Sequence, residues 1–346
     1  MQGHTRQPKF AHLFGLFMGI AACAFADTHY VAVSCPTPVA PYTHWTNAAN
    51  VIQAAIDCAA PGDLVLVSNG TYSTGWRTVA VIPNRVVITN AVTVRSVNGP
   101  GDTSIVGQGP LGYGCVRCAY LGDGSVLSGF TLRNGATQSS GNNEDLCAGG
   151  VWSTAGAVVS NCVIVGNKAS NQGGGAYGGT LISCILTNNT VTSSGGGAAQ
   201  SMLSNCTLSG NSGGLYGGGA YGCTLSTCRL TGNSAWRGGG VNGCALTSCL
   251  LLGNTASYGG GAYSSTLSGC TITGNSAGTE GGGAEGGTLD NCILYANNCA
   301  YGANWYNGRS NPTTLRYCCT SPLPQGQGNI DADPAFTSAG DFHLLP

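Results

Sequence analysis

Cysteine returns at positions 162, 184, 206, 228, 249, 270 and 292, in steps of 21 or 22 residues. Five residues after each comes an asparagine: Asn167, Asn189, Asn211, Asn233, Asn254, Asn275 and Asn297. Three before each lies an apolar residue: Val159, Leu181, Leu203, Leu225, Leu246, Leu267 and Leu289. Triple glycines begin at Gly173, Gly195, Gly217, Gly238, Gly259 and Gly281, each followed by alanine or valine. Seven units in one frame define a repeat architecture, in which no unit has a core of its own and each must present the same shape to the next.

The period and the glycine content exclude helical repeats, which run to 33 residues or more. The Leu-x-x-Leu-x-Leu pattern of leucine-rich repeats is absent. Cys-x-Leu puts two apolar side chains on one face of a short strand. Strand-sized pieces separated by glycine and recurring every 22 residues describe the coils of a parallel β-helix, stacked about 4.8 Å apart. Glycine suits corners that need positive φ or close backbone approach. Asparagine tolerates the left-handed conformation, and stacked amides can hydrogen-bond from coil to coil.

The frame extends past the clean repeats, to Leu127–Leu132 with Phe130 in the cysteine column, and to Leu315–Cys318 after an insertion at 298–314. Residues 136–148 read as a loop thrown out from the coil. The segment Thr46–Ala60 is the one good helix: Thr46 or Asn47 caps it, Val51, Ile52, Ala55 and Ile56 form its apolar stripe, and Pro61-Gly62 stops it. It is placed to cap the open end of the core.

Arg6 and Lys9 precede an apolar run, Leu13–Cys23, that ends at Ala24-Phe25-Ala26. This is the pattern of a secretory signal peptide, residues 1–26. Ile20–Cys23 also reads as a lipobox, so a lipoprotein anchored through Cys23 is the alternative. The expected organisation is then an N-terminal strand and capping helix at 27–61 and a β-helix at 62–346, with regular coils at 149–297. Charged residues make up only 7% of the chain and the formal charge is −1, so nothing points to nucleic acid.

The Gly-Gly-Gly-Ala and Cys-x-Leu-x-x-Asn pairing resembles the repeats of polymorphic outer-membrane proteins. Ala48–Asp57 with Pro61–Asp63 and Asn69–Tyr72 resembles the opening of exported right-handed β-helix proteins of the pectate-lyase-like superfamily. Asp331–Phe336 with Asp341–Leu344 is similar to the close of such domains. The resemblance implies an all-β, single-stranded right-handed parallel β-helix with an N-terminal capping α-helix. The sequence departs from the outer-membrane repeat proteins in showing no C-terminal β-barrel segment, so autotransport is not expected.

Buried thiols acting as small hydrophobes are the plain reading of the cysteine column. Parallel Cβ atoms about 4.8 Å apart suit a disulfide poorly, so these cysteines are expected to stay reduced. Cys223 and Cys244 form a second, two-member column. Cys115-Val-Arg-Cys118 is a lone pair and gives little support for zinc. Cys299, Cys318 and Cys319 lie in irregular sequence, where a disulfide is expected of an exported protein.

A β-helix polysaccharide lyase is the most specific catalytic alternative. It needs a basic proton abstractor and acidic residues, which commonly hold Ca2+. No Asp or Glu occurs from Leu146 to Thr279, and Lys168 is the one lysine after the signal segment. Lys168 with Glu144 or Asp145 is the nearest candidate cluster. Glu280 and Glu285 form the best carboxylate pair and read as solvated corner residues.

Two columns flank the triple glycine and change together. Gln172, Ser194, Tyr216, Arg237, Tyr258 and Glu280 precede it; Tyr177, Ala199, Tyr221, Asn242, Tyr263 and Glu285 follow the next small residue. At one edge, Tyr216, Tyr221, Trp236, Arg237, Tyr258 and Tyr263 would form an aromatic strip fit to stack on sugars or a partner protein, or to shield the coil edge. The reading is a secreted or outer-surface monomer, a non-catalytic cell-surface, matrix or adhesion module that binds polysaccharide or a surface protein. No membrane span is expected after signal removal, and no cofactor. A weak or degenerate lyase and a passive spacer stand as alternatives.

Overall fold

The computed structural model describes residues 26–308, 312–338 and 341–344. The signal segment and Cys23 lie outside them. Each repeat folds as one coil. In one such coil, Ala176–Tyr177 and Thr180–Ile182 form the first face, Ile185–Thr187 the second, and Thr190–Val191 the third. The coil strands pair in parallel with their counterparts one coil away; the hairpins Arg77–Val79/Ile82–Ile88 and Phe336–Ser338/Asp341–Leu344 are antiparallel. The stacked faces give sheets of 21, 11 and 6 strands in a right-handed parallel β-helix.

The inward columns follow the repeat frame. Leu181, Leu203, Leu225, Leu246, Leu267, Leu289 and Leu315 pair in register and are buried, as are all the column cysteines. Phe130 takes the cysteine position one coil earlier and is fully buried. At the N-terminal end, β1 (Thr28–Val31) pairs with β2 (Leu64–Val67) and puts His29 in the leucine column, by way of Val65, Val94 and Leu127. His29 Nδ1 lies 2.6 Å from the Pro41 carbonyl and Nε2 lies 3.3 Å from Asp63.

The asparagines form a continuous ladder. The N–H and Nδ2 of Asn211 both donate to Oδ1 of Asn233 at 3.0 Å, and Nδ2 also donates to the Leu186 carbonyl of the preceding coil. The pattern runs from Asn167 to Asn297, so buried amides and backbone groups satisfy each other. These asparagines are not the left-handed residues, contrary to expectation. The positive φ falls one position earlier, usually on glycine, as at Gly210, Gly232, Gly253 and Gly274. That leaves the asparagine side chain free to point inward.

The three glycines of each corner do different jobs. Only the first has positive φ, as at Gly217 (φ 59°). A Cβ on Gly218 would lie 2.3 Å from the Ser234 carbonyl, and one on Gly219 2.6 Å from the Gly240 carbonyl. The second and third are glycine because the next coil passes too close for a side chain.

The cysteine column is more than apolar filler. The backbone N–H of Cys184, Cys206, Cys228 and Cys249 each points to the Sγ of the cysteine one coil on, at 3.4–3.5 Å. The thiols in turn donate to carbonyls; Cys206 reaches Ser204 O at 3.3 Å. The second column is longer than expected: Ser201 N–H meets Cys223 Sγ, Cys223 N–H meets Cys244 Sγ, and Cys244 N–H meets Ser265 Oγ. Serine and cysteine share one role in it. All the described cysteines are free. Cys318 is not in an irregular region but ends the main column, buried and donating to Leu289 O. Burial pushes the Cys118 thiol up to about 12 and raises Cys162 and Cys223.

Two expectations on elements are corrected. The helix is only Ile52–Ile56 (α1), preceded by a 3-10 turn at Trp45–Asn47. Ala49 is held extended by hydrogen bonds to Tyr30 and Ala32 of the first coil, which keeps the helix from starting earlier, so Val51 and not Thr46 or Asn47 is its N-cap. Ile52, Ala55 and Ile56 do join the core, and Gln53 pairs with both the N–H and the carbonyl of Val87. The supposed insertion at 298–314 contains a further coil face. Trp305 and Tyr306 pair with Ala284 and Glu285, Gly302 takes the first glycine position, and Asn304 accepts from Asn297 to end the ladder. A strap at 321–330 closes that end, with Asn329 bonded to Cys318 N–H and Leu315 O.

Candidate ligand-binding face

The triple-glycine corner brings its two flanking positions side by side on the outer surface. Parallel register then stacks each position into a column. One column runs Gln172, Ser194, Tyr216, Arg237, Tyr258, Glu280, Tyr301. The other runs Tyr120, Trp152, Tyr177, Ala199, Tyr221, Asn242, Tyr263, Glu285, Tyr306. The strip expected from the repeat is therefore assembled. Tyr216 and Tyr221 stack across the corner with centroids 6.1 Å apart. Arg237 Cζ lies 4.3 Å from the Trp236 ring centre, 5.5 Å from Tyr258 and 5.4 Å from Tyr263. Trp236 meets Tyr258 edge-on at 5.7 Å. The guanidinium is held by π faces, with no ion pair to a carboxylate among the described residues.

The strip reaches further toward the N-terminus than the six residues expected. Tyr120 and Trp152 stack at 4.7 Å and 4°, and Trp152 continues to Tyr177 at 6.3 Å. Tyr177 was visible in the repeat; Tyr120 and Trp152 precede the first triple glycine and carry no such marker. Burial and the Glu144 carboxylate push the Tyr120 hydroxyl up to about 12.

Glu280 and Glu285 occupy neighbouring columns on one coil, and the solvated-corner expectation fails for Glu285. It is 6% exposed, because tyrosines of the coils before and after it cover it in register. Its Oε2 has no hydrogen-bond partner, and neither do Asn242 Nδ2 and Arg237 Nε. Burial, with Glu280 adding repulsion and Arg237 opposing it, raises the Glu285 carboxyl to about 7.

The alternative lyase residues do not converge. Lys168 is exposed on the third face, at the rim of a groove of about 480 Å³ lined by 107–110 and 134–136. Asp145 is buried and occupied in capping its own short helix (α2, Asn143–Leu146), where it bonds Asn142 N–H. Glu144 lies beside Tyr120 on the aromatic face. The 136–148 loop does fold over the first regular coil: Ser170 and Asn171 donate to Leu146 O, and the buried Arg117 holds the carbonyls of Glu144, Cys147 and Ala148. Among the described residues no three His, Cys, Asp or Glu side chains group to hold a metal ion. Nor is any described helix long and apolar enough to cross a membrane.

No family model and no curated protein matches the sequence, so the likeness of the repeats to those of polymorphic outer-membrane proteins finds no family match. Among solved structures, pectate lyase Pel9A superposes with a TM-score of 0.52 at 15% identity, over 92% of this chain and 84% of that one. A rhamnogalacturonan lyase matches at 0.47 and 11%, over 90% and 91%. The A-module of mannuronan C-5 epimerase AlgE4 from Azotobacter vinelandii matches at 0.43 and 14%, over 82% and 93%. The Pel9A likeness is one of fold alone, the parallel β-helix.

Proposed function

We propose that this right-handed β-helix is an exported, non-catalytic surface or matrix module that binds glycan along its aromatic strip. The observation that carries the reading is the in-register stacking of Tyr216, Tyr221, Trp236, Arg237, Tyr258 and Tyr263 on one outer edge. Flat, partly exposed rings with hydroxyl tips suit the apolar faces and hydroxyl rims of sugars. A column of coils offers such rings at regular steps, which favours a chain of rings over a single small molecule. The scattered positions of Lys168, Glu144 and Asp145 count against the lyase alternative.

A glycan screen with immobilised polysaccharides tests it. Binding by the wild-type chain that falls about tenfold or more in Tyr216→Ala/Tyr221→Ala is the expected result. Absence of binding to every polysaccharide leaves the passive spacer as the better reading. Robust turnover of a polysaccharide, lost in Lys168→Ala, would establish the lyase instead.

A further inference from the structure

Resting on that reading, we infer that the strip carries a cation subsite at Glu280 and Glu285, and that the glycan it takes bears free amino groups. Four tyrosines box the two carboxylates. Tyr258 and Tyr301 flank Glu280 in its column, and Tyr263 and Tyr306 flank Glu285 in the next. Glu285 is 94% removed from solvent, yet its Oε2 has no partner. A buried, unpartnered carboxylate beside a second carboxylate costs free energy, which is relieved either by taking up a proton or by a bound positive charge.

The chain itself shows which charge this geometry takes. One coil earlier, in the Glu280 column, stands Arg237, its guanidinium over the rings of Tyr258 and Tyr263. That tyrosine pair already accepts a cation at its N-terminal side. Toward the C-terminus the same pair meets Glu280 and Glu285, and among the described residues no cation stands on that side. Among the described residues, the charged and titratable groups facing Glu285 are Glu280, Arg237 and the four tyrosines, and none forms an ion pair with either glutamate. An ammonium on a sugar ring would sit between carboxylates and π faces, while neighbouring sugars stack on Trp236, Tyr216 and Tyr221. The continuity of the box with this open platform favours an amino-sugar polymer over the side chain of a basic protein.

The test compares oligosaccharides of glucosamine with those of N-acetylglucosamine, which share a backbone and differ in charge. Titration calorimetry at about pH 7.5, above the Glu285 carboxyl at about 7 and below the usual range of amine pKa values, is the readout. Wild type should bind the amine form about tenfold or more tightly than the acetylated form, and Glu285→Gln and Glu280→Gln should each abolish that preference. Gln keeps the shape, and a thermal melt confirms folding. Arg309→Ala, which removes the cationic residue nearest in sequence, should leave the preference intact; a preference that depends on Arg309 would overturn the proposal. Equal binding of both sugars, with dependence on Tyr216 and Tyr221, would overturn the cation subsite while sparing the glycan reading. Binding of a lysine-rich peptide and of neither sugar would overturn both.

Discussion

The Sγ of Cys228 accepts the backbone N–H of Cys206 one coil earlier, at 3.5 Å. A thiol here does what the Oδ1 of Asn233 does five residues later: it satisfies a buried N–H that the tight corner leaves without a sheet partner. Cysteine therefore suits this column as a weak acceptor and donor that is also small and apolar.

Cys228→Ser should accordingly be mild and Cys228→Val costly, although valine is the more apolar. Serine keeps an acceptor, as Ser201 and Ser265 do in the shorter column. Valine leaves the Cys206 N–H unsatisfied, at about 1–3 kcal/mol. Urea unfolding distinguishes them, and equal stability of valine and wild type would reduce the column to apolar filler. Thiol titration of denatured protein should find the column cysteines reduced.

Asn233→Ala should cost at least about 3 kcal/mol, since it strips the acceptor from both the N–H and the Nδ2 of Asn211 and the donor from Leu208 O. The same change at Asn304, the ladder's end, removes fewer bonds within the stack and should cost less. A chemical-denaturation series along the ladder checks the gradient.

Gly219→Ala should destabilise more than Gly232→Ala, although only Gly232 has positive φ (62°). Gly232 has open space around a new Cβ, so its cost is the backbone strain of about 1 kcal/mol. Gly219 would drive a methyl to 2.6 Å from the Gly240 carbonyl, and the coil must open to admit it. The two melting temperatures decide the order.

Glu285 sets a pH dependence. Its carboxyl lies near 4.5 in the unfolded chain and is raised to about 7 in the fold, so the native state binds the extra proton. Its contribution is most favourable below about 4.5 and is lost progressively as pH rises through about 7. Glu285→Gln should remove this component from the stability profile between about pH 4.5 and pH 7. A profile unchanged by the substitution would contradict the burial of an unpartnered acid.

The repeat made the coil, its inward columns and the outer strip legible, because each rests on identical residues recurring in register. What was not legible came from interactions that break the repeat or use atoms a hydropathy reading ignores. The helix at 46–60 looked continuous, but backbone pairing of Ala49 with Tyr30 and Ala32 outweighs helix propensity there. The Trp305–Tyr306 face was hidden by Gly-Ala-Asn standing where three glycines were expected. Glu285 reads as a surface residue until the tyrosines above and below it are counted, and Tyr120 and Trp152 extend the strip in coils that lack its glycine marker.

Glycan capture by the strip is tested most directly by indole N–H resonances. Of the five tryptophans, Trp236 lies in the strip beside Arg237, whereas Trp45 and Trp76 lie near the N-terminal coils. On titration with glucosamine oligosaccharide, the Trp236 signal should shift with saturation while those of Trp45 and Trp76 stay fixed, and Tyr216→Ala/Tyr221→Ala should weaken the titration. A Trp236 signal that remains unchanged at saturating glycan, or shifts confined to Trp45 and Trp76, would contradict binding at this face.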